Sequence, residues 1–186
     1  MAERAGQEIN IIPLSLILKE SKSVSVLDNA LFSFKCPKNK DEENFLHNKA
    51  KKYETANKAR TYLIYNQEYS HLLGYFTLAF KSVELKNISK EKRKRITAGE
   101  PETETYAAFL IGHLAKNNDY KDEIDGVTLL EEATSVILQA QDLVGGRLMY
   151  IDCKQEKKVQ AFYENNGFVY FNTSKKTGLL QYYKKI

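Results

Sequence analysis

Tryptophan is absent from this sequence, and cysteine and proline are scarce. The two cysteines, Cys36 and Cys153, are too few for the disulfide framework of a small secreted protein. No apolar run approaches the roughly 20 residues of a membrane span. Residues 1–10 are polar and charged and carry no apolar block of the signal-peptide kind. We therefore expect a cytoplasmic protein with reduced thiols and no membrane partner.

Linkers and repeats are also missing. None of the three prolines, Pro13, Pro37 and Pro101, separates blocks of different composition. The 186 residues are 42% hydrophobic and 28% charged, which is typical of a globular chain long enough to bury a core. We predict a single domain over residues 1–186.

Positive charge is in slight excess and unevenly placed. Lys and Arg number 28 against 24 Asp and Glu, so 28 − 24 gives +4. Residues 89–95 hold five basic side chains and one acid, and Lys81 and Lys86 precede them. Such a run can attract a polyanion such as RNA. It can equally be the solvated face of a loop or helix.

Hydrophobic periodicity predicts an α/β fold with helices packed on a central sheet. The last 80 or so residues alternate strand and helix, and Gly145, Gly146 and Gly167 end the helices. The predicted strands cover residues 9–18 (a strand running into a helix or turn), 60–66, 71–80, 106–115, 147–152, 168–171 and 180–184, and the predicted helices cover residues 41–58, 127–140 and 156–166.

One strand–loop–helix segment, residues 111–130, is suited to binding an anion. A helix that starts just after a buried strand offers free backbone N–H groups and the positive end of its dipole. Gly126, at the predicted helix start, permits close backbone approach. Asp125 has an alternative explanation as a simple N-cap. The segment alone indicates a pyrophosphate site only weakly.

A second segment carries a more specific pattern. Residues 161–168 read Ala-Phe-Tyr-Glu-Asn-Asn-Gly-Phe, and this ending resembles that of the GNAT superfamily of acyl-CoA N-acyltransferases. Residues 34–37, Phe-Lys-Cys-Pro, and residues 73–78, Leu-Gly-Tyr-Phe-Thr-Leu, resemble the opening of the branch that includes tRNA-acetylating toxins. The resemblance covers roughly residues 27–173.

The resemblance implies a GNAT-like mixed sheet with splayed central strands and flanking helices, and acetyl-CoA as cosubstrate. In that family the pantetheine arm pairs with a central strand like an extra β-strand, and the pyrophosphate binds the following loop. The implied cofactor residues are Leu114, Ala115 and Lys116 on the strand and Lys121, Asp122, Glu123, Ile124, Asp125, Gly126 and Val127 in the loop and helix start. Gly112 is a candidate bulge residue.

Tyr163 matches the family's tyrosine near the thioester sulfur. A phenol there could protonate the departing thiolate as a general acid, because a tyrosine is ordinarily protonated at pH 7. The alternative is an aromatic core residue, one of 12 tyrosines.

A general base for the attacking amine does not stand out. Asp152 and Glu104 are candidates, although each is more often a structural or surface carboxylate. His113 lies on an apolar strand, where a core role is the commoner one. The three histidines are not spaced as metal ligands, and no HExxH or CxxC motif occurs, so we expect no metal. Cys153 has no neighbouring histidine to make it a nucleophile.

Two functions remain open. The first is an N-acetyltransferase that transfers acetyl from acetyl-CoA to a primary amine, with the amine of an aminoacyl-tRNA, a small amine or a protein amine as acceptor. The second is a GNAT-shaped binding module without turnover, because Ile124 replaces the first glycine of the family's loop amid three carboxylates. A homodimer or an antitoxin-like protein are the partners that the resemblance suggests.

Overall fold

The computed structural model describes residues 8–20 and 24–186. Within these ranges the chain forms seven strands and seven helices. In chain order they are β1 Ile9–Pro13, α1 Leu14–Glu20, α2 Val24–Phe32, α3 Lys40–Asn48, α4 Ala50–Thr55, β2 Arg60–Asn66, β3 Leu72–Glu84, α5 Lys90–Ile96, β4 Thr105–Lys116, α6 Gly126–Val144, β5 Leu148–Cys153, α7 Lys157–Asn165, β6 Val169–Thr173 and β7 Leu180–Lys185. None of these helices is long and apolar enough to cross a bilayer.

All seven strands belong to one mixed sheet in the order β1-β2-β3-β4-β5-β7-β6. The central pair β4–β5 is parallel, whereas β1–β2, β2–β3, β5–β7 and β6–β7 are antiparallel. The β4–β5 ladder consists of the pairs Phe109↔Met149 and Leu110↔Tyr150, yet β4 continues to Lys116. The predicted α/β class, a mixed central sheet with splayed central strands and flanking helices, is confirmed.

The chain divides into two compact units. The first comprises residues 1–78 and 113–133, and the second comprises residues 79–112 and 134–186. Strands β3 and β4 contribute to both units. A single domain over residues 1–186 stays a prediction.

The core of the first unit forms around three buried aromatic rings. Phe34 meets Tyr75 edge-on with ring centroids 5.2 Å apart, and Phe45 stacks on Tyr75 at 6.3 Å. Leu14 joins this core with no exposed surface. It begins α1 directly after Pro13, which cannot donate to a strand ladder and thus ends β1.

The second unit has a separate core, and the helix that carries the basic run packs against it. Helix α5 carries the run, with the Ser89 hydroxyl accepting a hydrogen bond from the Lys92 N–H at 3.3 Å as an N-cap. Ile96, at the end of α5, packs with a cluster that includes Val83, Leu148 and Phe171. The basic side chains therefore belong to a helix whose last residue packs into this core.

The predicted helix over residues 41–58 is broken. It forms α3 and α4, because Lys49 leaves helical geometry with φ −121°. Glu54 of α4 is 3% exposed, and its carboxylate accepts hydrogen bonds from the Thr61 N–H at 2.7 Å and from Arg60 at 2.8 Å. The polar pattern that predicted one exposed helix does not reveal that this carboxylate is buried and ties α4 to β2.

Gly74 lies beside a β-bulge. Ile64 pairs with Gly74 and Tyr65 with Leu72, so Leu73 is the extra residue of β3. A Cβ atom at Gly74 would lie 2.8 Å from the Ala115 carbonyl oxygen. Glycine is therefore required for the close approach of β3 to the end of β4.

We predict that Gly74→Ala destabilises the protein. The added methyl group meets backbone, which cannot rotate away, so we expect a loss of about 1–3 kcal/mol of unfolding free energy. Urea unfolding measures it as a lower midpoint with an unchanged slope. Ser82→Ala, at an exposed position of the same strand, is the matched control and should change stability by less than about 0.5 kcal/mol. Equal midpoints for the two variants would contradict the close approach.

Candidate functional site

A cavity of about 420 Å³ lies in the first unit, beside the end of β4. One wall consists of residues 36–39 and Glu42, and the other of residues 114–118 and Lys121. Four of the predicted cofactor residues line it: Leu114, Ala115, Lys116 and Lys121. A cleft next to an extended backbone can hold an extended, amide-containing ligand.

Lys116 organises the loop that follows β4. Its ammonium group donates hydrogen bonds to the carbonyl oxygens of Lys121, at 2.7 Å, and Ile124, at 2.8 Å. The Ile124 side chain is 7% exposed and belongs to the core. Isoleucine in place of glycine therefore adds no bulk on the solvent side, and the loop contains a half-buried positive charge.

The carboxylates of this loop are largely engaged within the protein. Glu123 lies 3.0 Å from Nδ1 of His71, whose ring stacks on Tyr120 with centroids 4.1 Å apart. Asp125 accepts hydrogen bonds at one oxygen from the Thr128 N–H, at 2.7 Å, and the Thr128 hydroxyl, at 3.0 Å. Asp125 is thus the N-cap of α6, as its sequence position allowed. Asp122 is exposed.

Two backbone donors remain at the start of α6. The N–H groups of Gly126 and Val127 have no hydrogen-bond partner within residues 8–20 and 24–186. They occupy the first turn of a 19-residue helix, where the dipole favours negative charge. Together with Lys116, they give this end of the first unit the donors that a pyrophosphate requires.

Asn117 is a site residue that the sequence analysis missed. Its side chain is fully buried: Nδ2 donates to the Leu72 carbonyl at 2.8 Å, and Oδ1 accepts from the Lys35 N–H at 3.1 Å. Its own N–H donates to the Leu73 carbonyl at 2.7 Å. The two walls of the cavity are therefore joined through one amide. A polar residue directly after an apolar strand was the available signal.

Glu42, His113 and Tyr75 form a hydrogen-bonded cluster at the same cavity. Nδ1 of His113 lies 2.7 Å from Oε2 of Glu42, and the Tyr75 hydroxyl donates to the same oxygen at 3.0 Å. Burial and the neighbouring Glu42 carboxylate raise the pKa of Tyr75 well above its usual value, so its phenol stays protonated. Burial likewise raises the pKa of the Cys36 thiol. Nothing in the sequence pattern indicated that Glu42 would face His113.

Tyr163 belongs to the second unit, on α7. Its ring is half-buried and meets Phe162 and Phe168 edge-on, with centroids 5.1 and 5.5 Å away. Its carbonyl accepts hydrogen bonds from Asn166 and Phe168, and Gly167 has a φ of +83°. The Tyr-x-x-x-Gly-Phe part of the motif is therefore a helix C-terminus that holds the tyrosine ring between two phenylalanines.

Asp152 lies in a separate cavity of the second unit, of about 520 Å³. Its carboxylate accepts hydrogen bonds from the Lys81 ammonium and the Tyr150 hydroxyl, both at 2.5 Å. Gln181 donates to the Tyr150 oxygen at 2.7 Å, and the Lys81 ammonium lies 4.4 Å from the Tyr150 ring centroid. These side chains therefore form a hydrogen-bonded network in which both Asp152 oxygens have a partner.

Burial, with the Glu156 and Glu164 carboxylates, raises the pKa of the Cys153 thiol to about 11. It is therefore a thiol at neutral pH and a poor nucleophile. No group of three or more His, Cys, Asp or Glu side chains arranged to hold a metal occurs in the described part of the chain.

Two lysines of α5 form no ion pair with the described residues and are available to bind a ligand. Lys90 pairs with Glu102 and Arg95 with Glu91, each at 2.5 Å. Lys92 and Lys94 are exposed and have no ion-pair partner among the residues that the structure describes.

Comparison with known proteins identifies the fold. No protein-family model and no curated protein matches this chain. Among solved structures it is similar to AtaT complexed with acetyl-methionyl-tRNAfMet, with a TM-score of 0.69 and 21% identity over 94% of each chain. A tyrosine-to-phenylalanine mutant of KacT aligns with a TM-score of 0.70 and 21% identity over 95% of each chain.

A third similar structure is a tyrosine-to-phenylalanine mutant of the AtaT toxin bound to the C-terminus of the antitoxin AtaR and acetyl-CoA. It aligns with a TM-score of 0.66 and 18% identity over 95% of this chain and 92% of that one. At these identities the likeness establishes the fold. The mixed α/β fold that the sequence resemblance implied is therefore confirmed, and this chain shares it with AtaT and KacT.

We predict that Gly126→Pro weakens binding of coenzyme A by roughly tenfold or more. Proline deletes the first free N–H but is tolerated as the first residue of a helix, and a hydrogen bond to a charged group is worth about 1.5–3 kcal/mol. Gly126→Ala retains the N–H and should bind like the wild type. Isothermal calorimetry measures both. Equal affinity of the three proteins would exclude this N–H as a ligand to the pyrophosphate.

Proposed function

We propose that this protein is an acetyl-CoA-dependent N-acetyltransferase and that its acceptor is the amine of an aminoacyl-tRNA. The observation that carries the proposal is the arrangement in the first unit. A cavity lies beside the end of β4, beyond the last pair of its ladder with β5. The loop that follows, whose carbonyl groups the Lys116 ammonium binds, leads to two free N–H groups at the start of α6.

The fit to acetyl-CoA follows from these donors. The pyrophosphate would accept hydrogen bonds from Gly126 and Val127, and the pantetheine amides would pair with the backbone of Leu114 and Lys116. The loop backbone of Lys121, Asp122 and Glu123 would contact the cofactor. The Glu123 side chain would not, because it is bound to His71. The acetyl-CoA complex of AtaT supports this choice of cosubstrate.

The loop geometry weakens the argument for the alternative, a binding module without turnover. That argument rested on a loop with isoleucine in place of glycine and three carboxylates near the anion. The Ile124 side chain is buried, Asp125 caps α6 and Glu123 is bound to His71. Asp122 and Asp125 are exposed, but Asp125 and Glu123 are already bound to other groups of the protein, so the loop is compatible with an anion.

Tyr163 would act as the general acid. Its phenol would give a proton to the thiolate as the amine displaces it, and would regain one from the acylated nitrogen. The tyrosine-to-phenylalanine mutants of AtaT and KacT support a functional tyrosine in proteins of this fold.

The choice of acceptor rests on two observations. AtaT forms a complex with an acetylated aminoacyl-tRNA, and α5 presents Lys92 and Lys94 without internal partners. The two lysines expected to extend this surface are engaged, since Lys81 binds Asp152 and Lys86 pairs with Glu104 at 3.1 Å. The RNA surface that we propose is therefore narrower than the whole basic run.

Partners and location follow the same analogy. AtaT binds the C-terminus of an antitoxin, and we propose an antitoxin-like protein partner for this chain. A homodimer and a cytoplasmic location, which the sequence suggested, remain proposals; size-exclusion chromatography with light scattering tests the first.

Replacement of Tyr163 by phenylalanine should abolish most turnover. Tyr163→Phe keeps the ring between Phe162 and Phe168, so folding and coenzyme A affinity should persist, while kcat falls by roughly 10²–10⁴-fold. Tyr170→Phe, at an exposed tyrosine of the same unit, is the control and should keep wild-type kcat. A wild-type kcat for Tyr163→Phe would make that residue part of the core only.

The acceptor is identified by transfer of labelled acetyl to aminoacyl-tRNA, a polyamine or a peptide pool, each at two salt concentrations. With tRNA, log affinity should fall against log salt with a slope of about −0.7 for each single-strand phosphate contacted. Lys92→Glu/Lys94→Glu should impair transfer to tRNA and leave coenzyme A binding intact.

The control for this variant is Lys49→Glu/Lys52→Glu, which makes the same charge change at exposed lysines around α4. It should retain transfer to tRNA. Label only on the polyamine or peptides, without a salt effect beyond ordinary screening, would refute the proposed acceptor.

A further inference from the structure

The proposed reaction needs a proton acceptor that the sequence did not identify. An amine attacks a thioester only as the neutral species, so a base must remove its proton. Both carboxylates considered from sequence have other partners. Asp152 accepts hydrogen bonds from Lys81 and Tyr150 at both of its oxygens, and Glu104, 61% exposed, pairs with Lys86.

His113 is held in a fixed orientation in the first unit. Its ring stacks on Phe45 with centroids 3.8 Å apart, and its backbone N–H donates to the Thr77 hydroxyl at 3.0 Å. Nδ1 lies 2.7 Å from Oε2 of Glu42. An ionised carboxylate can only accept, so Nδ1 carries the proton and the lone pair of the neutral ring is on Nε2.

The groups around His113 leave it as the one base of the cluster. The Tyr75 hydroxyl donates to Oε2 and to the backbone carbonyl of Glu42, at 3.0 and 2.8 Å, and burial keeps it protonated by raising its pKa. Cys36 is held as a thiol in the same way. Glu42 is therefore a carboxylate with two donors on one oxygen, suited to orienting the imidazole.

The position of His113 along β4 matches the reacting end of the cofactor. The pyrophosphate donors follow β4, so a pantetheine arm that pairs with residues 114–116 runs back toward His113. Three residues of strand cover about 10 Å. The side chains of His113 and Glu42 are 25% and 18% exposed, and Glu42 lines the cavity, so an acceptor can reach them.

We propose that His113, oriented by Glu42, is the general base of the acetyl transfer, an inference that rests on the proposed function. Nε2 takes a proton from the acceptor ammonium. The freed lone pair forms the C–N bond with the thioester carbonyl carbon, and the C–S bond breaks. The thiolate gains a proton, and the new amide nitrogen loses one. The His113 imidazolium then releases its proton to water, so one proton leaves per turnover.

The test is the pH dependence of kcat/KM for labelled acetyl transfer to aminoacyl-tRNA. His113→Gln should lower kcat/KM at neutral pH by roughly 10²-fold or more. Its residual rate should rise with pH as the amine loses its own proton, which a merely structural role would not produce. Coenzyme A affinity should not change. Glu42→Gln, which keeps the shape, should show a smaller loss, and imidazole in the buffer should partly restore His113→Ala.

His47→Gln is the matched control, because the His47 ring bonds the Phe34 carbonyl at 2.9 Å and lies 4.9 Å from the Phe32 ring, away from the Glu42–His113 contact; it should keep the wild-type profile. A wild-type profile for His113→Gln, or no rescue of a folded His113→Ala by imidazole, would overturn the inference while transfer by the wild type upholds the proposed function. Absence of transfer by the wild-type protein to any amine would refute both.

Discussion

The hydrogen bonds of buried Asn117 hold the candidate site together. This one residue joins the end of β4 to Leu72 and Leu73 of β3 and to the backbone of Lys35, before α3. The Asn118 N–H adds a bond to the Lys35 carbonyl at 2.7 Å. Because a buried amide without partners is costly, the bulge at Leu73, the glycine at position 74 and the segment before α3 are all constrained by it.

Electrostatics then decide what the cavity can bind. The loop after β4 contains three carboxylates, which is more than we expect in an anion site. Two of them, however, are bound to other groups of the protein. Lys116 lies under the loop, His71 accompanies Glu123, and Asp125 caps α6. The result is a site with two free backbone donors at the start of α6, while two of the three loop carboxylates are bound within the protein, as a pyrophosphate requires.

The order of strands and helices in the second half of the chain could be predicted from sequence, because apolar periodicity and glycines mark β4, α6, β5 and α7 directly. The motif around Tyr163 indicated the fold. The Glu42–His113 contact could not be predicted, since it joins residues 71 positions apart and neither lies in a distinctive pattern. Buried polar groups such as Asn117 and Glu54 were missed for the same reason: composition shows polarity, whereas only packing shows burial.

The central claim is that acetyl-CoA lies along the end of β4 with its pyrophosphate at the start of α6. Amide hydrogen exchange with and without saturating coenzyme A tests it most directly. The account predicts slower exchange at the backbone N–H groups of residues 114–116 and of Gly126 and Val127, with little change in β6 and β7. Unchanged exchange across residues 114–127 in the presence of bound coenzyme A would contradict it.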